Sequence, residues 1–174
     1  MEEILDMGIS VAGGCCGTTP GHIRRLNRLR AGRRQKLPQE KQSTVITSYA
    51  AAVEIGDDPV IIGERINPTG KSKFKQALRD HDLEFILREG ISQQERGAHV
   101  LDVNVGLPEI DEPSMMAEVI RELQGITELP LQIDTSNTEA MARAMRVYNG
   151  KPLLNSVNGK QEVMDAVFPL VKRY

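Results

Sequence analysis

An α/β fold built on a parallel sheet is predicted for most of this 174-residue chain, and three features predict it. Short apolar runs recur from Pro59 onward: Val60-Ile61-Ile62-Gly63, then Val100-Leu101-Asp102-Val103-Asn104-Val105, Leu131-Gln132-Ile133-Asp134 and Leu153-Leu154-Asn155-Ser156-Val157. Each is short and apolar enough to be a strand buried on both faces. Between the runs lie stretches with apolar residues at helical spacing. Strict alternation of the two calls for right-handed βαβ crossovers between parallel strands.

The elements follow in order. Residues 22–30 are predicted as a helix whose apolar side is Ile23, Leu26 and Leu29, at spacings of three, with Gly32 and Pro38 ending it. From 39 to 58 the pattern lapses. Lys41-Gln42-Ser43-Thr44 is polar and Asp57-Asp58-Pro59 is a turn signal, so this stretch is predicted as a linker with a short strand-like interruption at Val45-Ile46-Thr47. After the first strand, Asp82 caps a helix carrying Leu83, Ile86, Leu87 and Ile91 that stops at Gly97. Pro113 opens another, with Met116, Val119, Ile120 and Leu123, that stops at Gly125. Ser136 and Glu139 form a capping-box pair ahead of Ala140, Ala144 and Val147, and Gly150 closes that helix. Residues 161–174 supply the last helical stretch, giving four strand–helix units.

Composition narrows the function classes. The chain is 40% hydrophobic and 26% charged with a formal net charge of −2, and no apolar run approaches the roughly 20 residues of a membrane span. Three acids within the first six residues are unlike a secretory signal, and two cysteines in a chain of this size fit a reducing compartment, so a cytoplasmic location is expected. Charge is uneven: residues 21–41 hold eight basic side chains against the single acid Glu40, leaving 14 basic and 23 acidic elsewhere. A nucleic-acid arm is one meaning of such a block. It contains no aromatic residue for base stacking and no known binding motif, so the basic face of a helix is the preferred meaning.

Cys15 and Cys16 are the only cysteines. Closing a disulfide between neighbours strains the peptide bond and the S–S torsion. Two readings remain: a glycine turn with two small buried thiols, or a pair of soft-metal ligands brought together by the flanking glycines, with zinc the metal that suits them. Two sulfurs leave a tetrahedral site incomplete.

Polar side chains gather at or just after each predicted strand: Glu64, Arg65 and Asn67 after the first, Asp102 and Asn104 in the second, Asp134 after the third, Asn155 in the fourth. In parallel α/β folds the carboxyl ends of the strands form the active face, so these groups converge on one cavity. Singly, Asp134 could cap the next helix and Asn155 could pin a turn. Together, carboxylates and amides satisfy a flat heterocycle whose edge alternates N–H donors with carbonyl or ring-nitrogen acceptors, and a pterin has that edge. The chain has no histidine cluster, glycine-rich phosphate cradle or Ser/His/Asp arrangement.

The run Gly13-Gly14-Cys15-Cys16-Gly17-Thr18, followed by Thr19-Pro20-Gly21-His22-Ile23, resembles the zinc motif at the carboxyl end of the homocysteine-binding domain in the cobalamin-dependent methionine synthase family. Gly63-Glu64-Arg65-Ile66-Asn67-Pro68-Thr69-Gly70, Leu101-Asp102-Val103-Asn104-Val105-Gly106, Ile133-Asp134-Thr135-Ser136 and Asn155-Ser156-Val157-Asn158-Gly159 resemble successive motifs of that family's pterin-binding domain. The wider group includes corrinoid methyltransferases and dihydropteroate synthase.

The resemblance implies a fold of (β/α)8 TIM-barrel type, with only the last strand–helix unit of a first barrel and about four βα units of a second in the chain. It implies three segments: 1–37, the end of a zinc-dependent homocysteine-binding domain; 38–58, an interdomain linker; and 59–174, the first half of a pterin-binding domain. By motif, Cys15 and Cys16 are zinc ligands, and the family's third cysteine, from an earlier strand, precedes Met1. Asp134 and Asn155 hydrogen-bond the pterin, Glu64 and Asn67 line the mouth, and Asp102 and Asn104 position the others. Asn67, or Asn155 through water, assists proton transfer at the pterin N5.

The implied reaction moves a methyl group from 5-methyltetrahydrofolate via cobalamin to zinc-bound homocysteine. Cobalamin belongs to another module, in cis or in trans, because no Asp-x-His-x-x-Gly pattern occurs here. Half a barrel leaves sheet edges unpaired, so the chain alone is expected to be inactive. The alternatives are a corrinoid-protein methyltransferase, a dihydropteroate-synthase-like enzyme of folate biosynthesis, against which the zinc motif and the Glu64-Arg65-Ile66-Asn67 run speak, and a non-enzymatic zinc module.

Overall fold

Residues 1–9, 11–34 and 43–174 are described by a computed structural model. They form two compact units, Met1–Gln42 and Ser43–Tyr174. Pro38, Lys36, Lys41 and the first residues of the expected linker, 38–42, lie outside the described residues.

In the first unit, α1 spans Glu2–Asp6 and α2 spans Pro20–Arg30. Helix α2 starts earlier than its apolar spacing indicates. Pro20 occupies the first turn, where a missing N–H removes no helical bond, and the Thr19 N–H donates to His22 Nδ1 at 3.1 Å. Gly32, in the left-handed region at φ +79°, follows the helix. Arg33 Nε donates to Asp6 Oδ1 at 2.7 Å and ties the segment after α2 to α1.

The second unit opens with an antiparallel hairpin, β1 (Thr44–Thr47) and β2 (Ala52–Ile55), in the stretch where the sequence predicted a linker with one strand-like interruption. It then alternates: β3 (Ile62–Ile66), α3 (Ser72–Arg79), α4 (Leu83–Glu95), β4 (Val100–Val103), α5 (Glu112–Ile126), β5 (Leu131–Asp134), α6 (Thr138–Val147), β6 (Leu153–Asn155) and α7 (Gln161–Arg173). Strands β3 to β6 form one parallel sheet in chain order, β3-β4-β5-β6. Each strand therefore lies beside its successor, the order of a barrel wall.

Several ends differ from expectation. The first strand starts at Ile62 and runs to Ile66 with a register irregularity between Gly63 and Ile66. Of the four strands only β4 is buried throughout; β3 has a single neighbour in the sheet, and Ile62, Glu64 and Arg65 are exposed. Asp82 caps α4 as expected, its Oδ1 accepting from the Phe85 N–H at 3.0 Å. Asp111, not Pro113, begins α5, accepting from Ser114 N and Oγ. The cap of α6 is Asn137 rather than Ser136, its Oδ1 accepting from the amides of Glu139 and Ala140 at 3.0 and 3.2 Å.

The two faces of the sheet differ because strand side chains alternate. Ile66, Leu101, Val103, Leu131 and Ile133 point into one core with Phe74, Ile86, Met116, Ile120, Leu123 and Met141 from the helices. Each such side chain contributes about 1.5–3 kcal/mol on burial. Gly90 lets α4 come close, since a Cβ there would stand 2.9 Å from Leu123 Cδ2. The opposite face carries the polar residues.

Candidate functional site

On that opposite face, the strand alternation places Asp102 and Asn104 together from β4 and its end, Gln132 and Asp134 from β5, and Asn155 from β6. Contacts bear this out in two tiers. In the lower, Gln132 Nε2 donates to Asp102 Oδ1, and the two residues are register partners. In the upper, Asn104 Nδ2 donates to Asp134 Oδ2 at 2.9 Å, Asp134 is register partner to Asn155, and the Thr135 N–H donates to the Asn155 carbonyl at 2.8 Å. The upper tier stands at the carboxyl ends of the strands.

Glu64 is exposed and paired with Lys71 Nζ, which donates to its Oε2 at 2.8 Å and to its carbonyl at 3.0 Å. Asn67 is buried, and its Oδ1 accepts from the Thr69 N–H at 2.8 Å, leaving the amide NH2 as its donor. Asp102 is 3% exposed. Burial raises its carboxyl to about 6; the Gln132 hydrogen bond opposes this, the negative charges of Asp134 and Glu64 add to it, and Lys71 lowers it.

Two contributors escaped the sequence reading. Gln132 gave only a period-of-two signal, between Leu131 and Ile133. Lys71 lies ahead of α3, a helix not foreseen. Thr135 Oγ1, donating to Glu112 Oε1, joins the start of α5 to the end of β5.

In the first unit, Cys15 to Thr18 is a four-residue turn. The Thr18 N–H donates to the Cys15 carbonyl at 3.0 Å, the Cys15 N–H donates to Thr18 Oγ1 at 3.0 Å, and Gly17 at φ +82° takes the third position that a type II turn reserves for positive φ. A Cβ on Gly14 would collide with the Thr18 side chain. Both thiols are exposed, which removes the reading of buried thiols. Their sulfurs are 3.8 Å apart. Two thiolates on one tetrahedral zinc, each about 2.3 Å from the metal, stand about 3.8 Å apart, so the pair fits two corners of such a centre. The Cys16 backbone N–H, then its thiol, hold the Cys15 thiol below its ordinary value. No group of three metal-binding side chains occurs among the described residues. Nor is any helix among them long and apolar enough to cross a membrane.

A parallel sheet in barrel order, helices on one face and a row of amides and carboxylates at the carboxyl ends of its strands, defines an α/β small-molecule-binding domain of TIM-barrel type. The chain belongs to the family of pterin binding enzymes, whose model matches residues 63–174. Residues 1–29 match the homocysteine S-methyltransferase family. The methionine synthase of Mycobacterium tuberculosis is 31% identical over 157 residues, which make up 89% of this chain and 13% of that protein. Both matched modules and this relative mark the chain as resembling a segment of a methionine synthase.

Among solved structures, dihydropteroate synthase from Xanthomonas albilineans in complex with indole-2-carboxylic acid and 6-chloroguanine superposes with a TM-score of 0.54 at 25% identity, covering 74% of this chain and 47% of that one. The same enzyme with 4-aminobenzoic acid gives 0.52 at 24% identity, covering 74% and 49%. The chain thus spans about half of these solved enzymes and about an eighth of the methionine synthase.

Proposed function

We propose that this chain is the segment of a methionine-synthase-type methyltransferase that carries the end of the homocysteine-binding module (1–37), a connecting stretch (38–58) and the first half of the pterin-binding module (59–174). The observation that carries the reading is the upper tier, Asn104–Asp134–Asn155, set across three strand ends in a chain of the pterin-binding family.

Asp134 and Asn155 hold the donor–acceptor edge of 5-methyltetrahydrofolate, with Glu64 and Asn67 at the mouth and Asp102 beneath. When the methyl leaves, N5 keeps the electron pair of the broken C–N bond. A hydrogen bond or proton delivered there makes it a better leaving group. Asn67, with its Oδ1 already engaged and its NH2 available, is the residue assigned to that task, and Asn155 through a water is the second. Cobalamin, borne by a module outside this chain, supplies the carrier for the methyl group.

Cys15 and Cys16 contribute two of the thiolates for zinc, held by the Cys15–Thr18 turn. Bound zinc lowers the thiol pKa of homocysteine so that a nucleophilic sulfur exists at neutral pH. The matched homocysteine S-methyltransferase segment, residues 1–29, favours this reading over a dihydropteroate synthase.

The test is titration of the purified chain with 5-methyltetrahydrofolate, followed by ligand fluorescence. Asp134→Asn and Asn155→Ala should each weaken binding at least about tenfold, the scale of one buried hydrogen bond to a charged or polar ring edge. Equal affinity in both variants rejects the assignment. With free reduced cobalamin added, the chain should not demethylate the folate, and turnover would refute the half-barrel argument.

A further inference from the structure

We infer that Asn104 is the positioning residue of this site: it orients Asp134 and locks the β4–α5 loop. Its effect on ligand affinity is indirect. The inference deepens the pterin reading and rests on it for the identity of the ligand.

Asn104 touches three separate segments. Its backbone N–H donates to the Ile66 carbonyl at 2.8 Å, at the end of β3. Its Nδ2 donates to Asp134 Oδ2 at 2.9 Å, at the end of β5. Its Oδ1 accepts from the Gly106 N–H at 2.8 Å, at the start of its own loop. An amide donates only through nitrogen and accepts only through oxygen, so turning the group over would break both side-chain bonds together. The orientation is fixed by its two partners.

Gly106 shows how closely the loop is drawn in. A Cβ there would stand 3.2 Å from Asn104 Oδ1 and 3.8 Å from Glu112 Oε1. Glu112 in turn accepts from Thr135 Oγ1, and Thr135 follows Asp134. Hydrogen bonds thus run from Asp134 through Asn104 to Gly106 on one side, and from Thr135, the residue after Asp134, to Glu112 at the start of α5 on the other. Beside these bonds the loop walls a cavity of about 550 Å³, lined among others by Gly106, Leu107, Ile110, Glu112 and Asn137. A carboxylate that must meet a ring edge at hydrogen-bond distance needs such support, because a displacement of a fraction of an ångström weakens the contact. With Oδ2 taken by Asn104, Asp134 keeps Oδ1 for the ligand.

Two variants separate the two halves of the role. Asn104→Leu removes donor and acceptor together. Amide exchange followed by NMR should show the Gly106 N–H exchanging at least about tenfold faster, with the Val103 and Ile133 amides unchanged; an unchanged Gly106 rate overturns the proposal. Asn104→Asp keeps the acceptor and removes the donor at neutral pH. Gly106 should stay protected while affinity for 5-methyltetrahydrofolate falls about tenfold relative to the parent, and that ratio should recover as the pH falls and the introduced carboxyl regains a proton to donate.

Equal affinity of Asn104→Asp and parent across the pH range overturns the orienting half, even if Asn104→Leu fails to fold. If the parent itself does not bind 5-methyltetrahydrofolate, the pterin reading fails, and Gly106 exchange alone decides whether Asn104 locks the loop.

Discussion

The phenol of Tyr148 reaches back 101 residues to donate to the Thr47 carbonyl at 2.8 Å, and it accepts the Leu131 N–H at 3.0 Å. Around it, Thr47 and Lys151 exchange backbone bonds, and Ser48 Oγ donates to the Glu128 carbonyl at 2.5 Å. All these partners lie at the amino ends of β5 and β6. The hairpin therefore covers the end of the sheet opposite the polar tiers, where stability and chemistry do not compete.

Tyr148→Phe keeps the ring and removes the clasp, leaving the Leu131 N–H short of a partner in a buried setting, while the Thr47 carbonyl keeps only its bond from the Lys151 N–H. A loss of about 1–3 kcal/mol is expected, read as a lowered midpoint in urea with an unchanged slope. Hairpin amides should exchange faster than those of β4. A variant as stable as the parent would show that water replaces the phenol at no cost.

Gly63 sits against Gln93, whose Oε1 accepts from the Arg65 N–H at 2.7 Å and whose Nε2 donates to the Glu89 carbonyl at 3.1 Å. A Cβ on Gly63 would stand 2.6 Å from that Oε1 and 3.0 Å from Cδ. Gly63→Ala must displace Gln93 and orphan the Arg65 N–H beside the register irregularity of β3. The expected cost is about 1–3 kcal/mol. The double variant Gly63→Ala with Gln93→Ala should recover part of it if the clash is the cause, and no recovery would place the cost in the backbone.

Much of this architecture was legible because several residues carry local signals. Asp82 precedes an apolar helical run, and Leu131-Gln132-Ile133-Asp134 reads as a strand from its own four residues. Other features depend on distant partners. The hairpin strand Ala52–Ile55 has only Val53 and Ile55 as strong apolar residues and pairs with Thr44–Thr47, whose last residue, Thr47, is in turn held by Lys151 and Tyr148, about a hundred residues away. Helix α3 buries just Phe74, Ala77 and Leu78, too short a stripe to stand out. Ser136 and Asn137 are adjacent residues that can both cap, and tertiary placement chose the second. At the site, the carboxylates and amides were visible as residue types after strands. Gln132 and Lys71 became visible only when register set one beside Asp102 and the loop after β3 brought the other to Glu64.

Asp102 gives the chain a pH-dependent stability of definite sign. Its folded-state carboxyl is raised to about 6, above the ordinary value of about 3.9 in an unfolded chain. The folded state thus holds the proton more tightly, and stability falls as the pH rises from about 4 to about 6, then levels. Asp102→Asn keeps an oxygen to accept from Gln132 and removes the buried charge. The variant should exceed the parent by on the order of 2 kcal/mol at pH 7.5, the gap closing below pH 4. A gap of constant size at both pH values, measured by thermal denaturation, would rule out the titration of Asp102 as its source.

The cysteine pair depends on its glycine as much as on its sulfurs. Gly17 holds φ +82°, a conformation that costs a residue with a Cβ about 1 kcal/mol or more, and the turn it closes fixes the 3.8 Å separation of the two thiols. Gly17→Ala should retain both thiols and still bind zinc about five- to tenfold more weakly, as read by competition with a chromophoric chelator. Gly21, in the first turn of α2, tolerates a Cβ at ordinary contact distance, 3.5 Å from Thr19 Oγ1, so Gly21→Ala should bind as the parent does. Cys15→Ser and Cys16→Ser should each weaken the sulfur-to-metal charge-transfer absorption of the cobalt-substituted chain, and the double variant should abolish it. Homocysteine added to that cobalt form should intensify the band, because a site with two protein sulfurs has room for a third. A closed structural site would show no change, and that result would remove homocysteine activation from the role of Cys15 and Cys16.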